Sequence, residues 1–254
     1  MPDSTLITFP PSLDSELSRF LLAHYRIPHQ DQRHVIIFSS FPTLRRGRTV
    51  RFPFLYSDSY RLNTVRKMID HFDPLCPPER RLLPASDDPE RARAEEDWTF
   101  FNSTLGMPTS VFAYYHLLPH REIMIRPLSD GAPQFEVSAV RAAYPVFAGL
   151  LRLLLRLTAE RASKALVQIR EVMQKVDERI SDGRRYLRGD RFSLSDMAFA
   201  VAAAPVVWPD EYGGYLPALA DTPPVMQDAI AEMRNRPSGQ FALRIYREHR
   251  RPVI

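Results

Sequence analysis

One cysteine, Cys76, is all that the 254-residue chain contains. An internal disulfide, a CxxC redox pair and a multi-cysteine zinc site each need more, so all three are excluded. A lone thiol suits a reducing cytosol. Glycine-rich phosphate signatures are also missing: there is no phosphate loop, no GxGxxG and no GxSxG. No long apolar run is present. The most apolar stretch, Val146 to Leu157, is broken by Arg152 and Arg156 and is too short to span a bilayer, so it reads as a core helix and no membrane partner is expected. Met1 to Phe9 shows no basic segment followed by an apolar one; no signal peptide and a cytoplasmic location are the expectation. No unit of 20 to 50 residues repeats. Nor is there an excess of charge in blocks. Lys and Arg total 34 against 30 Asp and Glu, and the two signs are interspersed. The one dense basic cluster, His249-Arg250-Arg251, lies in the tail, which argues against a nucleic-acid partner and leaves a small anionic ligand equally suited to the net charge of +4. His116 and His120 stand four apart, but Pro119 intervenes and no third ligand is near, so no metal site is expected.

What the chain does contain is an ordinary globular balance, 44% hydrophobic and 25% charged, enough for one large core or two small ones. Leu6 to Phe9 is a strand candidate closed by Pro10-Pro11. Ser12 to Tyr25 reads as a helix, with Leu17, Phe20 and Leu21 at helical spacing and Ser12 or Asp14 as its cap. Val35 to Phe38 reads as a second strand, 39–48 as a short basic connection, Val50 to Tyr56 as a third strand interrupted by Pro53, and Tyr60 to Leu62 as a fourth. Asn63 to Phe72 is a helix with Val65, Met68, Ile69 and Phe72 on one face. This order, in about 75 residues, has the size and succession of a thioredoxin-like domain. Prolines 74, 77, 78 and 84 then mark a linker. Everything beyond reads as helical: Pro89 to Phe101, an unassigned 107–133, one or two helices over 137–182, a nearly apolar helix from Ser193 to Ala204, and two more to the end. In the long segment Leu166, Ile169, Met173, Val176 and Ile180 recur at steps of three and four. The expected domains are therefore 1–75, a linker over 76–88, and an all-helical 89–254.

Late in the chain, Gly189-Asp190-Arg191-Phe192-Ser193-Leu194-Ser195-Asp196-Met197 carries a helix-start signature. Ser193 caps the helix, Asp196 reaches back to the Ser193 N–H as a capping box, and Phe192 with Met197 forms a hydrophobic staple. The same residues, Gly189, Phe192, Ser193, Asp196 and Met197, resemble the folding motif of the helical domain in the glutathione transferase superfamily. The other half of the chain agrees. Phe9 to Arg19 looks like the first loop and helix of serine-type transferases, and Ile27-Pro28-His29 resembles the end of that helix. Phe52-Pro53 resembles the family's residue before a cis-proline, followed by that proline. Asn63-Thr64 stands where the family carries an acidic or amide residue followed by Ser or Thr.

The resemblance implies an α/β thioredoxin-like domain followed by an all-α domain, glutathione as co-substrate, a small apolar electrophile as its partner, no metal, and a homodimer with a detoxification role. It implies that Ser12 donates to the glutathione sulfur and keeps it ionised, with Ser15 as the alternative donor. Phe52 and Pro53 would hold the cysteinyl part, and Asn63 and Thr64 the γ-glutamyl end. A serine rather than a cysteine at position 12 disfavours disulfide exchange. Two departures stand out. Segment 39–48 is shorter than the one that usually carries the second helix, leaving Arg45, Arg46 or Arg48 for the glycyl end, and 107–133 looks like an insertion whose Phe112, Tyr114 and Tyr115 either shape the apolar co-substrate pocket or simply pack. The alternative reading is a non-catalytic relative that keeps the fold as a binding or scaffold module.

Overall fold

The computed structural model describes residues 4–250. Strand β1 (Thr5–Thr8) leads to α1 (Leu13–Tyr25), β2 (Gln30–Arg33), α2 (Ser40–Gly47), β3 (Phe54–Tyr56), β4 (Arg61–Leu62) and α3 (Val65–Phe72). The sheet order is β2-β1-β3-β4; β1 runs parallel to β2 and antiparallel to β3, and β3 is antiparallel to β4. This small mixed sheet is the thioredoxin-like domain. Leu6, Phe20, Leu21, Leu55, Met68 and Ile69 fill its core with essentially no exposure. Burying each such side chain contributes on the order of 1.5–3 kcal/mol.

Ser12 starts α1 with an extended backbone, and Arg26 ends it in the left-handed region at φ 58°, where its N–H and that of Ile27 close the last turn. The second strand is not where the hydrophobic pattern predicts it. β2 is Gln30–Arg33; Val35 lies outside any strand, and Ile36 to Ser39 forms a turn. The reason is that β2 is an edge strand whose polar side chains make ion pairs, so alternation of apolar residues does not mark it. The apolar run after it belongs to the contact with the helical half: Val35 is buried, and Phe38 packs on Phe135 and Phe147 with ring centroids 5.6 and 6.4 Å away. Segment 39–48 is likewise more than a connection. It holds the eight-residue α2, with Pro42 in the first turn, where no intrahelical N–H is needed.

The helical domain comprises α4 (Pro89–Phe101), α5 (Met107–Leu117), α6 (Arg121–Ser129), α7 (Gln134–Ala142), α8 (Tyr144–Leu155), α9 (Ala159–Ile180), α10 (Leu194–Val207), α11 (Pro224–Arg234) and α12 (Pro237–His249). A π turn over Asn102–Gly106 joins α4 to α5 without a break, so Met107–Leu117 continues a bundle helix. At the turn Gly106 lies close to Leu13, the first residue of α1; a Cβ there would meet the Leu13 side chain at 3.3 Å. The segment 137–182, expected as one or two helices, is divided among three: α7 and α8 break before Tyr144, and α9 begins at Ala159. Val146–Leu157 is not a core helix. Tyr144, Phe147, Ala148 and Leu151 are buried on one side of α8, while Val146, Leu153 and Leu154 are exposed on the other. Among the described residues no single helix is long and apolar enough to cross a membrane.

The buried centre is α10, whose start is held by the sequence motif. Gly189 has φ +106°, a conformation open to glycine, and exchanges backbone hydrogen bonds with Tyr186 at 2.8 and 3.0 Å. Ser193 and Asp196 form the capping box. The fully buried Asp196 carboxylate accepts from the Ser193 N–H and Oγ–H, both at 2.8 Å, and from the Leu187 N–H at 2.7 Å. The Leu194 N–H donates to the Leu82 carbonyl of the linker at 3.0 Å, so the motif also ties the linker to α10. Phe192 stacks on His249 at 3.9 Å and lies edge-on to Tyr186. Asp196→Ala leaves three buried donors without an acceptor, which costs about 1–3 kcal/mol each when unrelieved. With partial relaxation the expected loss is about 2–3 kcal/mol, read as a lower urea midpoint at unchanged slope.

Candidate functional site

The register of the sheet brings the sequence-predicted residues to one end of it. Ile7 opposes Phe54 and Leu55 opposes Leu62. The carboxyl end of β1, the start of β3 and the carboxyl end of β4 therefore point the same way. Ser12 follows the first, Phe52-Pro53 precedes the second and Asn63-Thr64 follows the third. The Phe52–Pro53 peptide bond is cis. The Phe52 ring packs edge-on to Phe9 with centroids 5.8 Å apart, which ties that loop to the turn before α1.

Each polar group at this end has hydrogen-bonding capacity left over. Ser12 is half-buried. Its Oγ accepts from the Ser15 N–H at 3.5 Å, a long and weak cap, and its own proton goes to no acceptor among the described residues. Ser15 is different: it is fully buried and its Oγ accepts from the Phe9 N–H at 3.2 Å, so it braces the turn and is closed to a ligand. Thr64 caps α3 by accepting from the Lys67 N–H at 3.2 Å. That leaves the N–H groups of Val65 and Arg66 free of intrahelical partners at the helix start. Asn63 Oδ1 is buried and has no hydrogen-bond partner among the described residues. A buried amide oxygen in that condition costs about 1–3 kcal/mol. Arg45 and Arg46 on α2, and Arg48 just past its end, are exposed and form no ion pair among the described residues, though Arg46 sits over the Tyr56 ring.

Two features lie beside this end, one that sequence reasoning missed and one of which it named only Tyr114. The first is a buried charge network. Arg19 Nε donates to Asp31 at 2.9 Å, its Nη1 to the Pro10 carbonyl at 3.1 Å and its Nη2 to Thr8 Oγ1 at 2.9 Å. Glu16, one turn beyond Ser12, accepts from Arg250 Nε at 2.9 Å and the Gly213 N–H at 3.0 Å. Arg33 joins Asp31, the Gly213 carbonyl and Asp130. Three guanidiniums thus meet three carboxylates across the domain junction. Burial works to raise the Asp31 carboxyl, but Arg19, Thr8 and Arg33 outweigh it and hold it below the usual carboxylate range.

The second is a narrow aromatic cleft with a cavity volume of about 60 Å³, partly open to solvent, between α5, α6 and the end of α10. Its walls include Pro11, Tyr114, Met124, Trp208, Tyr212 and Tyr215. Pro11 precedes Ser12, so cleft and sheet end adjoin. Trp208 spends its N–H on the Pro217 carbonyl at 3.0 Å and so presents an apolar face. Burial raises the Tyr114 hydroxyl well above its ordinary value and keeps it protonated. The tyrosines at 114, 212 and 215 come from segments about 100 residues apart, and no linear motif connects them.

No family model matches the sequence, and no curated protein is similar to it. Solved structures are similar over almost the whole chain. A glutathione S-transferase from Rhodospirillum rubrum F11 is 16% identical and superposes with a TM-score of 0.59, covering 96% of this chain and 98% of its own. One from Xanthobacter autotrophicus py2 is 12% identical with a TM-score of 0.61, covering 99% and 95%. A sphingomonad glutathione S-transferase, solved as a complex with glutathione, is 16% identical with a TM-score of 0.52, covering 96% and 99%. With this sheet, this helical bundle and this likeness along its length, the chain has the glutathione transferase fold.

Proposed function

We propose that the chain binds glutathione at the Ser12, Pro53, Asn63 and Thr64 end of the sheet and activates its thiol for attack on an apolar electrophile in the adjoining aromatic cleft. The observation that carries this reading is the buried, unpartnered Asn63 Oδ1 beside the open start of α3. An α-amino acid terminus supplies both halves of what is missing there. Its ammonium donates to Asn63 Oδ1, and its carboxylate accepts from the Thr64 hydroxyl and the N–H groups of the first turn. The γ-glutamyl end of glutathione is such a terminus.

The cysteinyl sulfur then lies toward Ser12. A free thiol of pKa about 8.5 is only about 3% ionised at pH 7. Ser12 donates its hydroxyl proton to the sulfur, and the positive end of α1 favours negative charge at the same point. A shift of about 1.5 units makes roughly half of the bound thiol a thiolate at that pH. The sulfur attacks the electrophilic carbon, the new C–S bond forms, and the leaving group departs with its bonding electrons. Ser12 stays unmodified throughout.

Calorimetric titration with glutathione tests the reading. One site per chain is expected, with Kd in the range of roughly 1 µM to 1 mM common for small substrates. Asn63→Leu should weaken it about tenfold, by removing the acceptor for the ammonium. No binding heat under conditions where the protein is folded would end the proposal.

A further inference from the structure

Arg126 stands at the rim of the aromatic cleft with its charge unanswered. It lies on α6, next to Pro127, which lines the cleft, and its guanidinium carbon sits 3.8 Å from the centroid of the Tyr215 ring, another lining residue. The face of the guanidinium is therefore stacked while its N–H edge stays open. No carboxylate answers it among the described residues. Asp130, one turn on, is taken by Arg33, and Glu122, one turn back, reaches only Arg121 at 3.9 Å. Deeper in, the walls are flat and apolar: Trp208 with its N–H already used, Tyr215, Met124 and Leu117. The lining also carries the hydroxyls of Ser110, Tyr114, Tyr212 and Tyr215; Tyr212 donates to the Pro11 carbonyl at 3.5 Å, and the Tyr114 hydroxyl has no hydrogen-bond partner among the described residues.

We propose that the co-substrate of this cleft is a flat aromatic molecule bearing a carboxylate, with its ring between the aromatic walls and its carboxylate on the open edge of Arg126. Arg126 is then the residue that selects substrate charge, and Tyr114 donates to a polar substituent on the ring. The inference rests on the reading of the cleft as the electrophile site of a glutathione-dependent enzyme, and it names the class of electrophile. A neutral aromatic gains the same ring burial but leaves Arg126 as it stands. A guanidinium at a rim open to solvent separates the two by a factor of about five to ten.

The test is a pair of unreactive probes, 2-naphthoate and 2-naphthamide, titrated by calorimetry and by quenching of Trp208 fluorescence. Naphthoate should bind about five- to tenfold tighter, and added salt should weaken it alone. Arg126→Gln, an exposed position, should erase the preference and leave naphthamide unchanged. Equal affinity for the two probes, failure of both to bind, or a preference that survives in R126Q would overturn the proposal. Glutathione is titrated on the same samples. Intact glutathione binding with no preference for naphthoate removes only the substrate class. Lost glutathione binding with the preference intact removes the conjugation reading and leaves a site for aromatic carboxylates.

Discussion

Ser12→Ala should lower turnover of glutathione with an activated aryl halide by about 10- to 100-fold while scarcely moving the unfolding midpoint. The two halves of this expectation have separate sources. A hydrogen bond to a charged acceptor contributes about 1.5–3 kcal/mol, which is the stated factor in rate when the acceptor is the reacting thiolate. Loss of an N-cap ordinarily costs about 1 kcal/mol. Here the cap bond from the Ser15 N–H is 3.5 Å long, so less is lost. The variant should also shift the pH–rate profile. Without the hydroxyl the thiol titrates higher, and activity recovers as pH rises toward the free-thiol value near 8.5. Ser15→Ala supplies the contrast. Its hydroxyl holds the Phe9 N–H inside the protein, so it should cost stability and leave the pH profile in place. A Ser12→Ala enzyme with unaltered turnover and pH profile would reduce Ser12 to a helix cap.

The parts of this picture that were legible in the sequence are those written in local chemistry. Ser193 and Asp196 announce a helix start because a capping box is a short-range hydrogen-bond pattern. The face of α9 from Ile169 to Val176 is legible because its period is that of the helix. Pro10-Pro11 and the proline-rich linker mark ends of regular structure wherever they occur. What stayed hidden depends on partners far along the chain. β2 carries Gln30, Asp31, Gln32 and Arg33, a run no hydrophobic pattern selects, because its interior-facing charge is neutralised by Arg19 from α1. The apolar run beside it, Val35 to Phe38, was misleading for the same reason: it packs across the domain junction rather than within the sheet. The candidate site divides along this line as well. Ser12, Phe52-Pro53 and Asn63-Thr64 are visible as short motifs. Arg126 over Tyr215, 89 positions apart in sequence, is visible only once the helices are placed.

Arg19→Met should be the most damaging single change in the thioredoxin-like domain, with an expected loss of about 4 kcal/mol. Arg19 and Glu16 have side chains 4% and 0% exposed, and Arg250 only 9%. Removing one member of a buried ion pair costs about 3–5 kcal/mol, because the remaining charge stays in a poorly solvating interior. Here Asp31 would keep Arg33 but lose its buried partner, Glu16 would keep Arg250, and the Pro10 carbonyl and Thr8 hydroxyl would each lose a donor. Gly213 allows no inward relaxation, since even a Cβ there would collide with Glu16 and Arg250. Arg170→Met is the matched control. Arg170 makes two good contacts with Glu232, at 2.8 and 2.6 Å, but both side chains are exposed, and such a pair contributes under about 1 kcal/mol. The network also sets a pH dependence. Asp31 titrates below its unfolded value of about 3.9, so its contribution is complete above that pH and is lost as pH falls through the lower folded value. Asp31→Asn should therefore flatten the acid limb of the stability curve. Because Arg19 also holds the Pro10 carbonyl, two residues before Ser12, Arg19→Met should weaken glutathione binding even where the protein remains folded. Equal urea midpoints for the Arg19 and Arg170 variants would show that the six charges are ornament to the junction rather than what fastens it.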